Sequence, residues 1–262
     1  MINKIILIFL IIIHLSSNAL AEKDKLIISV ASSLYKVSKE LANEWEKNEK
    51  TKIIIIPGST PLLARQIERG QRSEFIITAN YYWLEWMLEK GLVEKDSILK
   101  IAKNSLVIIS GINKPIYLDI NSPEFKYDFI EQISSSMIAI PHPSSVPLGI
   151  YSKQALKSLG LWDSIEKKLV YTSSAQANLK FISQGEVNLG ISYLSDAIFS
   201  SKVKILSQID NKKFEYEQPI YWAAKVKNKN NDNYFLEWLI GDKAQNIFKN
   251  YGFEIISKKE NN

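Results

Sequence analysis

Between Leu26 and Gly91 the chain three times follows a short, β-rich apolar run with a stretch of helical periodicity, and few folds accept that alternation. Leu26 to Ala31 (LIISVA) reads as a strand, and Leu34, Val37, Leu41 and Trp45 then fall at helical spacing. Ile53 to Ile56 reads as a second strand. Pro57-Gly58-Ser59-Thr60 carries turn chemistry, and Pro61 to Arg69 (PLLARQIER) reads as a helix ended by Gly70. Phe75 to Thr78 and Tyr82 to Lys90 make the third pair, stopped at Gly91. Strands alternating with helices predict an α/β fold whose parallel sheet is covered on both faces.

From Ser105 the pattern starts again with new material. Strands are expected at Leu106 to Ser110, Met137 to Ile140 and Leu189 to Tyr193, and helices at Gly149 to Leu159 and Ala177 to Gln184. This reads as a second α/β lobe. A strand at Ile220 to Lys225 and a helix over Tyr234 to Tyr251 then return to the first. The expected organisation is residues 22–104 plus 216–262 in one lobe and 105–215 in the other.

The amino terminus predicts export. Lys4 precedes the apolar run Ile5 to Ile13, and a polar patch ends in Ala19-Leu20-Ala21, the small-x-small triplet of a signal-peptidase site. Residues 1–21 therefore read as a signal peptide, too short in its apolar part to span a bilayer, with a mature chain beginning at Glu22. No cysteine is present, which excludes disulfides, thiolate metal sites, a cysteine nucleophile and a lipoprotein anchor. A soluble periplasmic protein is expected. The formal charge of the whole chain is +5, and its basic residues are interleaved with acidic ones, as in Glu46-Lys47-Asn48-Glu49-Lys50, so nucleic acid is not an expected partner.

Two strand-to-helix turns carry hydroxyls, Ala31-Ser32-Ser33-Leu34 and Gly58-Ser59-Thr60-Pro61. In open α/β sheets the following helix presents unpaired N–H groups and a positive dipole end at such turns, which suits an anion without any charged side chain. The competing reading is that Ser33 and Thr60 are ordinary caps of their own helices. No G-x-S-x-G elbow, H-E-x-x-H helix or phosphate-binding G-x-x-x-x-G-K-[ST] loop is present, and His142 is the only histidine beyond the signal peptide. Trp83, Trp86 and Met87 share one helical face, which predicts burial rather than ligand stacking.

Six segments in order resemble one family, the periplasmic molybdate-binding proteins of ABC transporters. They are ASSL at Ala31, GSTPLLARQIERG at Gly58, KNSLVIIS at Lys103, VPLGIYSKQALKSLGLWD at Val146, LGISYLSDA at Leu189 and GDKAQNIFKNYGF at Gly241. The resemblance implies a two-lobe periplasmic-binding-protein fold that closes on its cargo and presents it to an inner-membrane ABC permease. It implies a monomer, no catalysis and no cofactor, with molybdenum or tungsten held only as the molybdate or tungstate oxyanion. By position it assigns the anion to the hydroxyls of Ser33 and Thr60, the main-chain N–H groups of Leu148 and Ala175, and the Tyr193 hydroxyl. The chain departs from the family's usual alanine at Leu148, serine at Thr60, aspartates at Glu74 and Asn80, and frequent arginine at Gln176. These departures put the choice of anion in question and keep sulfate as the alternative cargo. A periplasmic hydrolase on a related fold and a non-transport interaction protein are the readings from other classes.

Overall fold

A computed structural model describes residues 25–49, 51–227 and 233–261; the expected signal peptide lies outside them. The chain opens with β1 (Lys25–Ala31), a single 3-10 turn over Ser32–Leu34, α1 (Tyr35–Asn48), β2 (Lys52–Gly58) and α2 (Thr60–Glu68). There follow β3 (Phe75–Thr78), α3 (Tyr81–Glu89), β4 (Leu99–Lys103), β5 (Leu106–Gly111), α4 (Phe125–Gln132), β6 (Ile138–Pro141) and α5 (Pro147–Ser158). The rest comprises α6 (Trp162–Ile165), β7 (Leu169–Thr172), α7 (Ala175–Ser183), β8 (Leu189–Tyr193), α8 (Leu194–Ala197), β9 (Val203–Ile209), β10 (Ile220–Lys225), α9 (Tyr234–Leu239) and α10 (Asp242–Asn250).

The strands form two five-stranded sheets, ordered β2-β1-β3-β10-β4 and β7-β6-β8-β5-β9. In each, three strands run parallel and a fourth, β10 or β5, enters antiparallel beside the third. The expectation of a parallel sheet is thereby corrected. The wholly parallel pattern needs a crossover helix before every strand, and both antiparallel strands arrive instead from the segments that link the sheets. The chain passes to the second sheet between β4 and β5 and returns between β9 and β10, so two segments join the lobes. The Asn104 N–H donates to the Pro219 carbonyl at 2.9 Å and ties these segments together.

Each sheet is covered on both faces. In the first, Phe75 and Ile77 of β3 face Val37, Leu41 and Trp45 of α1 with Phe235 and Leu236 of α9, whereas Ile76 faces Leu63 of α2 and Trp83, Leu84 and Met87 of α3. That split follows the two-residue period of a strand. Full burial of such side chains contributes roughly 1.5–3 kcal/mol each before chain entropy is counted. In the second sheet, Ile138 and Ile140 of β6 pack against Leu156, Trp162 and Phe129, while Ala139 meets Leu179 and Ile182 of α7. Pro57, which cannot donate to a ladder, sits on β2 at the sheet's edge. Gly70, at φ 91°, ends α2 in the left-handed region where a side chain would be strained.

The single helix expected over Tyr234 to Tyr251 is two. Gly241, with extended backbone, stands between α9 and α10 as the N-cap position of the second, and the redirected chain lets Phe248 and Phe253 reach the Tyr221 side of the core.

Candidate anion-binding site

Four helix or turn beginnings meet where the carboxyl ends of β1, β2, β6 and the β7–α7 turn converge. Gly149 shows how closely α5 approaches its strand: a Cβ there would run into the Pro141 carbonyl and lie 2.6 Å from that of His142. Only glycine lets the first turn of α5 sit against the end of β6. Ser174 caps α7, its hydroxyl accepting from the Ala177 N–H at 3.1 Å. The N–H groups of Ala175 and Leu148 lie in first turns, where no carbonyl four residues back can take them up.

Ser33, Thr60, Leu148, Ala175 and Tyr193 all line one small cavity between the lobes. No charged side chain lines it. Its volume is about 10 Å³, the room of roughly one water-sized sphere. A tetrahedral oxyanion is larger, so seating one requires the walls to move apart.

The two serine and threonine hydroxyls do not cap their own helices. The turn beginning at Ser32 has no side-chain cap, and Ser33 Oγ lies 2.8 Å from the Tyr221 hydroxyl. Thr60 is already inside α2, behind Ser59, and its Oγ1 accepts from the Ala79 N–H at 3.2 Å. The capping alternative fails because the strand ends beside each turn supply other partners. The Thr60 hydroxyl keeps a proton to give. Around Ser33, Asn104 Oδ1 accepts from the N–H groups of Ser105 and Ser195, so its Nδ2 donates to Ser195 Oγ at 2.8 Å and Tyr221 Oη at 3.3 Å. Tyr221 thus accepts from Asn104 and shares with Ser33 a bond in which either hydroxyl can donate; when Tyr221 donates, the Ser33 O–H is left for the cavity.

Tyr193 completes the site from the second lobe. Its side chain is 1 % exposed, and its hydroxyl has no hydrogen-bond partner among the described residues. Burial, with the neighbouring Tyr221, Tyr151 and Asp196, pushes its ionisation well above that of an ordinary tyrosine, so it remains a neutral donor. An orphaned buried hydroxyl costs about 1–3 kcal/mol, which marks the position as one awaiting an acceptor.

Besides the Asn104–Ser195 pair, further bonds cross between the lobes around this point. Trp83 Nε1 donates to the Ser145 carbonyl at 2.7 Å, the Tyr151 hydroxyl to the Ala79 carbonyl at 3.3 Å, and Lys36 Nζ to the Phe199 carbonyl at 2.9 Å. Trp83 thus combines the core role expected from its helical face with a contact across the cleft. A larger cleft of about 760 Å³ opens nearby between α3 and α5, but Glu85 and Glu217 border it, and two carboxylates oppose a dianion. Tyr221 and Asn104, which orient Ser33, were not singled out by the sequence reading. Asn104 stands inside the KNSL segment, whereas Tyr221 is one more aromatic in a buried strand.

The sequence pattern of the bacterial extracellular solute-binding proteins matches residues 26–254. The chain is 31% identical over 248 residues to the molybdate-binding protein ModA of Escherichia coli, covering 92% of this chain and 93% of that one. The periplasmic molybdate-binding protein of Azotobacter vinelandii has the same fold, with a TM-score of 0.76 at 22% identity over 88% of this chain and all of that one. The sulfate-binding protein SubI of Mycobacterium tuberculosis shares it too, with a TM-score of 0.72 at 13% identity over 90% and 88% of the two chains, so the fold does not select the anion. With the match spanning both sheets and the donor cavity between them, the chain belongs to the family of bacterial extracellular solute-binding proteins.

Proposed function

We propose that this protein captures molybdate or tungstate in the periplasm and hands it, as a non-catalytic monomer, to an ABC permease. The observation that carries the reading is the Tyr193 hydroxyl, buried and without a partner among the described residues, on a side chain that lines a cavity of hydroxyls and main-chain N–H groups with no charged side chain. Molybdate-binding relatives similar over nearly the whole chain support the choice of cargo. Five donors to a dianion at about 1.5–3 kcal/mol each give roughly 7–15 kcal/mol gross. Association offsets part of this, and micromolar binding, about 8 kcal/mol, is within reach.

A fully ionised oxyanion can take a bond from every donor of such a site, whereas hydrogen phosphate must turn one hydroxyl into an acceptor for its own O–H and forfeits that bond. Calorimetric titration with molybdate, tungstate, sulfate and phosphate tests the reading. The expected order is molybdate and tungstate alike, sulfate far weaker and phosphate negligible near neutral pH. Sulfate as tight as molybdate would reassign the cargo to sulfate, and no response to any of the four would end the proposal. Export follows the same reading, and the mass of the secreted protein should correspond to a chain beginning at Glu22.

A further inference from the structure

Behind the anion cavity lies a carboxyl group that anion capture by hydrogen bonds does not use. Asp196 in α8 is 2 % exposed, three residues beyond Tyr193. Its Oδ1 accepts from Gln176 Nε2 at 2.6 Å, and its Oδ2 has no partner among the described residues. Gln176 is the residue directly after the N–H donor Ala175, in the first turn of α7. One neutral amide thus connects the helix that faces the anion to a buried acid.

We propose that Asp196, held by Gln176, is a specificity-determining residue of the anion site: it must carry its proton for a dianion to be accepted, so capture is coupled to proton uptake. The inference rests on the anion-binding reading given above. A dianion and an ionised carboxylate in one dry interior repel strongly, because little solvent lies between them to screen the charge. Opposing charge is scarce. Lys36 of α1 is the cation whose pull on Asp196 is resolved, but its ammonium makes its hydrogen bond to the Phe199 carbonyl instead, and its pull is outweighed by burial. The titratable groups facing it from β8 and β10 are the hydroxyls of Tyr193 and Tyr221, themselves held neutral by burial and by Asp196. Burial pushes the Asp196 carboxyl up to about 8, against the opposing pulls of Lys36 and Gln176. The proton is therefore present at neutral pH and is lost just above it. Linkage is reciprocal: if the proton favours the anion, the anion favours the proton to the same degree.

Molybdate affinity measured by calorimetry from about pH 6 to about pH 9.5, where the anion keeps its charge, tests this. Wild type should bind evenly up to about pH 7 and then weaken towards a limit of about tenfold per pH unit above about pH 8. Near pH 8.5 the heat should vary with the buffer's ionisation enthalpy, reporting uptake of up to one proton. Asp196→Asn, which keeps the contact with Gln176 but cannot ionise, should bind at neutral pH within about threefold of wild type and lose both effects. Gln176→Arg provides a second variant, since a cation beside Asp196 holds it ionised and compensated, and its profile should also be flat. A flat wild-type profile, or Asp196→Asn with the wild-type slope, overturns the inference while leaving anion capture standing. Failure of wild type to bind molybdate even near pH 6 removes the reading beneath it instead.

Discussion

Removing the Tyr193 hydroxyl should produce a protein that is more stable and binds worse, and that combination is hard to obtain except at a site built for a ligand. This oxygen is buried without a partner among the described residues, so Tyr193→Phe deletes a polar group that was desolvated without a compensating bond. Relief of that penalty is worth up to about 1–3 kcal/mol. For a chain of this size that raises the midpoint of thermal unfolding by roughly 2–4 °C per kcal/mol. Binding loses one hydrogen bond to a charged group, about 1.5–3 kcal/mol, or roughly 10- to 150-fold in Kd. Ser33→Ala supplies the contrast. It costs affinity in the same way, but it also removes the buried hydrogen bond between Ser33 and Tyr221, lowering stability by about 1 kcal/mol or more. Thermal unfolding without ligand, paired with calorimetric titration of molybdate, measures both quantities on each variant. Tyr193→Phe binding like wild type would refute the assignment of its hydroxyl to the anion. Loss of stability in Tyr193→Phe would refute the claim that the hydroxyl is orphaned.

Ala175→Pro tests a backbone donor: Ser174 before it is extended, at φ −162° and ψ 168°, and the first helical position suits proline, so folding should change by less than about 1 kcal/mol while anion affinity falls by roughly tenfold or more. Unchanged calorimetric affinity would remove that N–H from the site. Gly149→Ala forces a methyl group onto the carbonyls of Pro141 and His142, and urea unfolding should show a loss of about 1–3 kcal/mol or more. Asp196→Asn should alter stability against pH. The folded-state value near 8 stands above the ordinary carboxylate range, so the acid's contribution is complete below about pH 4 and is lost as pH rises through about 8. Wild type should lose up to about 4 kcal/mol between about pH 4 and pH 7 from this group, at about 1.4 kcal/mol per pH unit. Asp196→Asn should not, and identical urea-denaturation profiles for the two proteins would rule the idea out.

Much of the fold was legible because its signals are local. Strands β3, β8 and β10 coincide with their apolar runs, the helices after β2 and β3 follow their periodicity within one residue, and the helix after β1 runs three residues past its last periodic position, Trp45. What escaped were elements whose partners lie far along the chain. Strand β4 (Leu99–Lys103, LKIAK) carries lysines that disguise it, and it is a strand because β10 pairs with it from more than a hundred residues away. Strand β9 pairs with β5 in the same non-local way, and its exposed edge face carries polar residues. Sheet order, and with it the antiparallel entry of β5 and β10, is set by pairings between strands far apart in the chain rather than by any window of sequence.

The site divides along the same line. Its donors sit at strand-to-helix turns, which composition and spacing mark well, and the five positions named from the sequence border one cavity. Two of the five are proposed to act through backbone N–H groups, so the side chains of Leu148 and Ala175 carry almost no record of that role. Nor does local sequence record what aims the hydroxyls: Ser33 depends on Tyr221 and Asn104, 188 residues and a lobe junction apart in the first case. Anion size is governed one step further away. The space among the donors depends on how the two lobes sit against each other, and Trp83 with Ser145, Tyr151 with Ala79 and Lys36 with Phe199 are among the contacts that hold them there. A shift of a few tenths of an ångström at any of these changes the fit of a rigid tetrahedral ion, because packed interiors yield only at a cost. Selectivity between sulfate and the larger molybdate is therefore a property of the interlobe contacts as much as of the donors, and a change at Trp83 should alter it without touching the anion.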